Sequence, residues 1–136
     1  MKKFCIYIFL VTSSFSFFLN ADEIFIGMSA PLSGPTQNLG NEIFSGANLF
    51  LNHYNQTEVG KKKSIHIIAY DDQYEPIKTS ENTKKLLIDK HIFALFSYVG
   101  TPTSEHIFPT IDKFNVIYFS PFTGAEFLRT PYKSNI

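Results

Sequence analysis

The sequence predicts an α/β fold, a three-layer, Rossmann-like parallel sheet flanked by helices. Short apolar runs, each about the length of one strand, alternate with segments whose apolar residues recur every three or four positions. The runs begin near positions 24, 64, 92 and 116, and each interval is long enough for a crossover helix. Continuous apolar strands separated in this way are typical of a parallel sheet that is buried on both faces.

The first strand is predicted over residues 24–28, and a loop rich in Gly, Pro and Asn follows it up to position 40. An amphipathic helix comes next, with Asn41 as its expected N-cap. Apolar residues with helical spacing form its inner face: Ile43, Phe44, Ala47, Leu51 and Tyr54.

The second strand is predicted over residues 64–70 as a buried strand that ends in Asp71 and Asp72. Pro76 is suited to the first turn of the following helix, which is expected to end near Lys90. A third strand is predicted over residues 92–99, a third helix over 103–114 and a fourth strand over 116–119. We expect Pro109 to kink the third helix or to shorten its start, because proline cannot donate a helical hydrogen bond.

Composition limits the chain to one domain and to a few function classes. It has 136 residues, 44% of them hydrophobic, and twelve Lys and Arg balance twelve Asp and Glu. Nucleic-acid binding is not expected, because such proteins carry a strongly basic face and the longest basic cluster here is residues 61–63.

The first 21 residues have the layout of a signal peptide. Lys2 and Lys3 precede an apolar run, and Ala21 offers a small residue at the expected cleavage position. A membrane anchor would need about 20 consecutive apolar residues, and serines interrupt this run. We therefore expect residues 22–136 to be exported as one domain without cysteine, since Cys5 is the only cysteine of the chain.

In a parallel sheet the functional groups gather at the carboxyl ends of the strands. Three of the expected strand-end loops, residues 29–35, 100–104 and 120–125, are rich in hydroxyl groups and in Gly or Pro. Hydroxyls and backbone N–H groups at a helix start are suited to a small anion such as a carboxylate. Helix capping is the simpler explanation for each loop taken alone, and two neighbouring loops of this kind favour a ligand cleft.

Five segments in fixed order resemble one family. They are IGMSAPLSGPTQNLG (residues 26–40), FSGANLFLNHYN (44–55), IIAYDDQYEP (67–76), FSYVGTPTS (96–104) and VIYFSPFTGAEFLR (116–129). Together they resemble the opening of the type I periplasmic solute-binding proteins of ABC transporters, in particular the leucine/isoleucine/valine-binding group. The resemblance runs from Ile24 to Tyr132, nearly all of residues 22–136, and covers only the opening half of the family's first lobe.

The resemblance implies four ligand-binding positions, Thr101, Phe122, Thr123 and Gly124. By the resemblance, the two threonine hydroxyls and the backbone of Phe122 and Gly124 would hold the ligand's carboxylate, and the Phe122 ring would form an apolar wall. Phe122 replaces a small residue of the best-known branched-chain binders. Tyr98 is expected in or beside the same crevice, and Phe96 is expected to pack in the core.

The resemblance further implies a periplasmic, non-catalytic protein that binds an amino-acid-like small molecule and delivers it to the membrane permease of an ABC transporter. No cofactor is expected. Because the second lobe is missing, we expect weak binding from what would be a fragment of the first lobe. We also expect the edge of the fourth strand to be unpaired.

Two alternatives belong to other function classes. The same fold could serve as the extracytoplasmic ligand-sensing module of a receptor or sensor kinase. A small exported α/β enzyme could use Asp71 and Asp72 as a metal or phosphoacceptor pair, but the further acids and lysine that such sites need are missing. Nor is there a Gly-x-Gly-x-x-Gly motif or a metal-ligand spacing among the histidines at positions 53, 66, 91 and 106.

Overall fold

The computed structural model describes residues 22–136, in which four parallel strands lie between two layers of helices. The expected signal peptide, residues 1–21, lies outside this described part of the chain. In chain order the elements are β1 (Asp22–Ala30), α1 (Gln37–Gln56), β2 (Lys63–Asp71), α2 (Pro76–Asp89), β3 (Ala94–Phe96), α3 (Thr101–Phe114), β4 (Ile117–Phe119) and a 3-10 turn (Glu126–Leu128). The predicted α/β fold and its alternation of strands and helices are confirmed.

The sheet has the strand order β2-β1-β3-β4, and all neighbouring pairs are parallel. After β1 the chain passes through α1 to β2 on one side, and α2 then carries it back across β1 to β3. The direction of winding therefore changes between β1 and β3. Parallel sheets open a crevice at the carboxyl ends of the strands at such a switch point.

Helices α2 and α3 cover one face of the sheet and bury the larger core. Its fully or nearly fully buried members are Leu86, Leu95, Tyr98, Ile107, Ile111, Tyr118 and Leu128. The rings of Tyr98 and Tyr118 meet edge to face, with centroids 5.5 Å apart. Their hydroxyls bond to Thr83 and Ser104, so both phenols are buried without an unpaired oxygen.

Helix α1 covers only part of the opposite face. It packs over Met28, Ala30 and Val99, while Phe93 and Phe119 beside it are 63% and 60% exposed. Between α1 and the uncovered strands lies an apolar depression of about 500 Å³. The expectation that residues 64–70 form a buried strand is wrong, because β2 lies at the edge of the sheet and none of its residues is fully buried.

Strand β3 is shorter than predicted because it is kinked at its end. Ser97, immediately after β3, has a left-handed backbone with φ of +50°, and Ser120, immediately after β4, has φ of +54°. The two chains meet again in a parallel bridge between Val99 and Phe122. We call Ser97 and Ser120 the paired kink, since neighbouring strands bend at the same level.

Two helix boundaries also differ from the prediction. Helix α1 begins at Gln37 rather than after Asn41, whose side-chain amide instead donates to the carbonyl oxygens of Leu32 and Gln37. Helix α3 begins at Thr101, two positions earlier than expected, and continues through Pro109 to Phe114. Pro109 therefore does not shorten the start of the helix.

The sequence predicts that the edge of β4 is unpaired, but part of this edge is paired in the structure. The Tyr118 N–H donates to the carbonyl oxygen of Asn135 at 2.7 Å, and the Asn135 amide donates to the carbonyl of Val116 at 3.0 Å. The end of the chain thus covers part of this edge. Among residues 22–136, no helix combines the length and apolarity needed to cross a membrane.

Candidate functional site

A cleft of about 260 Å³ lies at the carboxyl ends of the strands. All four strand-end loops line it, as the winding of the sheet requires. Its lining residues are Thr36, Leu39, Tyr74, Val99, Gly100, Thr101, Phe122, Thr123 and Gly124. The structure thus brings together the four residues singled out from the sequence, and their role in ligand binding stays a prediction.

Two threonine hydroxyls form the polar centre of this cleft. The oxygens Oγ1 of Thr101 and Thr123 lie 2.7 Å apart, and the Ala125 N–H donates to Thr123 Oγ1 at 3.2 Å. In a pair of hydroxyls one hydrogen is used between the two oxygens and the other stays free. The pair can therefore donate at least one hydrogen bond to an anionic oxygen in the cleft.

The backbone of Phe122 is already used within the protein. Its N–H donates to the Tyr98 carbonyl at 2.8 Å, and its carbonyl accepts the Gly100 N–H at 3.1 Å. These bonds leave the ring, which is 53% exposed, as the part of Phe122 that can meet a ligand. The implied contact from the Phe122 backbone is thus not available in this conformation.

Gly124 lies on the open side of the cleft. A Cβ placed on it would meet no atom within 4 Å, so the backbone here faces free space. Its carbonyl accepts a 2.6 Å hydrogen bond from the Arg129 guanidinium, which fixes the loop without entering the cleft. A ligand can therefore approach the Gly124 backbone closely.

Neither Tyr98 nor Phe96 lines the cleft. Tyr98 is fully buried on the α2 and α3 face, which corrects the expectation that it points into or beside the crevice. Phe96 packs on the α1 side, next to Met28 and Val99. In a regular strand both side chains would lie on the same face, and the left-handed backbone of Ser97 between them reverses this alternation.

Asp71 is an anchor for the loop after β1. Its Oδ1 accepts the backbone N–H groups of Leu32, Ser33 and Gln73, and its Oδ2 accepts the Ser33 hydroxyl at 2.6 Å. Slight burial acts to raise the pKa of Asp71, but the hydrogen bonds from Ser33, Leu32 and Gln73 outweigh it and lower the pKa below its ordinary value. The carboxylate is thereby held ionised and occupied by its own loop.

Asp72 is fully buried beneath the cleft. Its Oδ2 accepts the hydroxyls of Ser29 at 2.8 Å and Thr79 at 3.0 Å, and its Oδ1 accepts the Tyr74 N–H at 2.9 Å. Burial raises the pKa of this carboxyl above its ordinary value, although the three hydrogen bonds act in the opposite direction. The group links β1, β2 and α2 and does not line the cleft.

These two carboxylates do not form a metal site in the described structure. Residues 22–136 contain no cluster of three or more His, Cys, Asp or Glu that could hold a metal ion. The carboxylate oxygens of Asp71 accept hydrogen bonds from the loop after β1 instead. Those of Asp72 accept hydrogen bonds from buried hydroxyl groups. The structure gives them the role of internal anchors.

Sequence reasoning missed four lining residues, Thr36, Leu39, Tyr74 and Val99. Tyr74 lies in the loop after β2, in which the acidic residues Asp71 and Asp72 give the stronger sequence signal. The rule that ligands bind at the carboxyl ends of parallel strands could have found it. Thr36 and Leu39 depend on where α1 begins, and that boundary was placed too late in the sequence.

Comparisons with known proteins agree with this geometry. A family model described as periplasmic binding protein matches residues 23–134. The solved structure of a possible leucine/isoleucine/valine-binding protein from Rhodopirellula baltica SH 1 is similar, with 32% sequence identity and a TM-score of 0.78. The match covers 82% of this chain and 30% of the chain of that protein. A search of curated proteins finds no match.

Two further solved structures share the fold at lower identity. One is a solute-binding protein of an ABC transporter from Rhodopseudomonas palustris BisB5 in complex with 3,4-dihydroxybenzoic acid, 22% identical with a TM-score of 0.61 over 71% of this chain and 26% of its own. The other is a branched-chain amino acid transporter substrate-binding protein from Streptococcus pneumoniae in complex with isoleucine, 21% identical with a TM-score of 0.61 over 71% of this chain and 28% of its own. The chain therefore spans less than a third of the length of the relatives it matches.

Proposed function

The chain belongs to the periplasmic binding protein family, and on that premise we propose that it forms the solute-holding part of the first lobe of an ABC-transporter substrate-binding protein. The family is one of solute-binding proteins rather than enzymes. Residues 1–21 would direct export to the periplasm and be removed there. The partner would be the membrane permease that receives the solute.

The observation that carries the proposal is the Thr101–Thr123 hydroxyl pair, in which Thr101 is the first residue of α3 and Thr123 lies in the loop after β4. The pair lies in a cleft whose lining contains no carboxylate that would repel an anion. The first turn of a helix has unpaired N–H groups and a positive end of the helix dipole, both favourable to negative charge. A carboxylate of an amino-acid-like solute fits these groups.

The ligands of the related structures support this assignment. Isoleucine and 3,4-dihydroxybenzoic acid, the molecules bound to two of the relatives, differ in shape and share a carboxylate. A first lobe that holds the carboxylate would be compatible with either kind of solute. We therefore propose a carboxylate-bearing, amino-acid-like small molecule as the ligand.

We infer that this chain binds such a solute weakly by itself. The cleft is open, and a solute held at its carboxylate alone would keep most of its surface in water. An ammonium group would find no acidic partner among the lining residues. Millimolar affinity is the order of magnitude that we expect for contacts of this extent.

The experiment compares two ligands that differ only in the carboxylate. The chain is produced with its N-terminal segment, recovered from the periplasm, weighed by mass spectrometry and titrated by NMR with L-isoleucine and with L-isoleucinol. We expect the measured mass to be that of a chain that begins at Asp22. We expect chemical-shift changes at the amides of Thr101, Thr123 and Gly124 with isoleucine only. Equal shifts with isoleucinol, or shifts confined to other regions, would show that these residues do not hold a carboxylate.

A further inference from the structure

The loop after β2 has an unusual backbone where it enters the cleft. Gln73 and Tyr74 are consecutive, neither is glycine, and both have a left-handed backbone, with φ of +53° and +65°. Each such residue costs free energy that the surroundings must offset, and conformations of this kind concentrate at functional sites. The loop therefore holds Tyr74 in a backbone conformation that non-glycine residues rarely adopt.

Hydrogen bonds to two carboxylates impose this conformation. The Gln73 N–H donates to Asp71 Oδ1 at 3.0 Å, and the Tyr74 N–H donates to Asp72 Oδ1 at 2.9 Å. Asp72 is itself fixed by the hydroxyls of Ser29 and Thr79. Tyr74 is thus tied to the buried network that joins β1, β2 and α2.

The tyrosine ring lies directly against the backbone of the loop after β3. A Cβ on Gly100 would come within 2.4 Å of Tyr74 Cε2 and 2.6 Å of its hydroxyl oxygen. Gly100 also has φ of +102°, which L side chains rarely adopt. The absence of a side chain at Gly100 is what lets the ring lie against the backbone of this loop.

In this position the ring forms a wall of the cleft together with Phe122. No residue among 22–136 makes a hydrogen bond to the Tyr74 hydroxyl, in contrast to the buried hydroxyls of Tyr98 and Tyr118. The rings of Tyr74 and Phe122 therefore line the same cleft as the threonine hydroxyl pair. Aromatic faces favour flat, unsaturated partners by about 0.5–1.5 kcal/mol over what their area alone provides, which is a factor of about 2 to 10 in affinity.

We propose that Tyr74 is a specificity-determining residue of this cleft and that it selects carboxylates with a flat, unsaturated body over saturated ones of the same size. The proposal rests on the proposed function, since it presumes that the threonine pair holds the carboxylate. Packing offers a different explanation, because Tyr74 also covers Met28, Ala30 and Val99. If packing were its whole role, any large apolar residue would serve equally well.

The test uses two amino acids that share their α-carboxylate and differ in the flatness of the side chain. L-phenylalanine and L-cyclohexylalanine are titrated into the chain, and the ratio of their dissociation constants is read from the NMR shifts of Thr101 and Thr123. We expect phenylalanine to bind the original protein about 2 to 10 times more tightly. Tyr74→Leu should lower the ratio at least twofold, to what the Phe122 ring alone provides, and Tyr74→Phe should preserve it.

Tyr132→Leu is the matched control, because Tyr132 is 85% exposed and does not line the cleft. Gly100→Ala should displace the ring and reduce the ratio, provided that thermal unfolding shows a folded protein; if it does not fold, the Tyr74 variants decide alone. If the ratio in the original protein is near one, or if Tyr74→Leu leaves the ratio unchanged, Tyr74 does not select flat solutes. Either result leaves the proposed carboxylate binding intact. Failure of both amino acids to shift Thr101 and Thr123 overturns the proposed function and this inference with it.

Discussion

The hydroxyl oxygens of Thr101 and Thr123 lie 2.7 Å apart, although 22 positions separate the two residues along the chain. They meet because β3 and β4 are parallel neighbours that pair Phe96 with Phe119 and then bend at the same level. Both loops therefore leave the sheet side by side. The polar centre of the cleft is a consequence of strand register.

Removing either hydroxyl should weaken carboxylate binding. In Thr101→Val and Thr123→Val the shape of the side chain is retained and one hydrogen-bonding group is lost, so we expect isoleucine to bind roughly fivefold more weakly, about 1 kcal/mol. NMR titration measures the affinity. Thr110→Val, in α3 and away from the cleft, is the control. Unchanged affinity in both cleft variants would rule out a role for the pair.

The buried carboxyl of Asp72 should make the protein less stable as the pH rises. Its folded pKa is above the ordinary 3.8 because of burial, so its contribution is complete below pH 3.8 and is lost as the pH rises through the folded value. Urea unfolding is compared for the original protein and Asp72→Asn from about pH 3 to pH 7. The free energy of unfolding of the original protein, relative to that of the variant, should fall as the pH rises over this range. If this difference rises instead, the pKa of Asp72 is not raised in the folded protein. Asp89→Asn, at the exposed end of α2, is the control.

Asp71 should show the opposite pH dependence. Hydrogen bonds hold its folded pKa below 3.8, so its contribution is present above pH 3.8 and is lost as the pH falls through the folded value. Asp71→Asn should lower stability at neutral pH by roughly 1 kcal/mol, at the low end for a charged hydrogen bond because the carboxylate is exposed. It should also speed amide exchange at Leu32 and Ser33. If exchange at these amides is unchanged, the carboxylate does not hold the loop.

The apolar depression beside α1 should bind a hydrophobic dye in the native state. Exposed apolar surface of this size takes up anilinonaphthalene sulfonate, and Phe119 lies in the depression with 60% of its surface exposed. Phe119→Lys should remove most of the dye fluorescence without lowering the unfolding temperature substantially. Phe114→Lys tests a comparably exposed ring outside the depression. Equal fluorescence from the two variants would place the dye elsewhere.

The sequence pattern was sufficient for the fold and for the general position of the cleft. Apolar runs and helical spacing fix the order of elements, and the carboxyl-end rule brings the loops 100–104 and 120–125 together. These features depend on local composition and on the winding of parallel sheets. Both can be read from one sequence. The choice of Thr101, Phe122, Thr123 and Gly124 within these loops came from the family resemblance.

The finer geometry depends on tertiary contacts that local patterns do not encode. Ser97 and Ser120 carry no turn signature, yet their left-handed backbones decide that Tyr98 faces the core. The occupied backbone of Phe122 follows from the bridge to Val99, which exists only once the strands are assembled. The anchoring of Tyr74 by Asp72 likewise becomes visible only in three dimensions.

The paired kink makes two distant positions mutationally dependent on each other. If only one of Ser97 and Ser120 were replaced by a β-branched residue, which rarely tolerates a left-handed backbone, one strand would straighten while its neighbour stayed bent. The Val99–Phe122 bridge would then break, and Thr101 would move away from Thr123. A compensating change at the second serine would let both strands straighten together, so the effects of the two substitutions should be strongly non-additive.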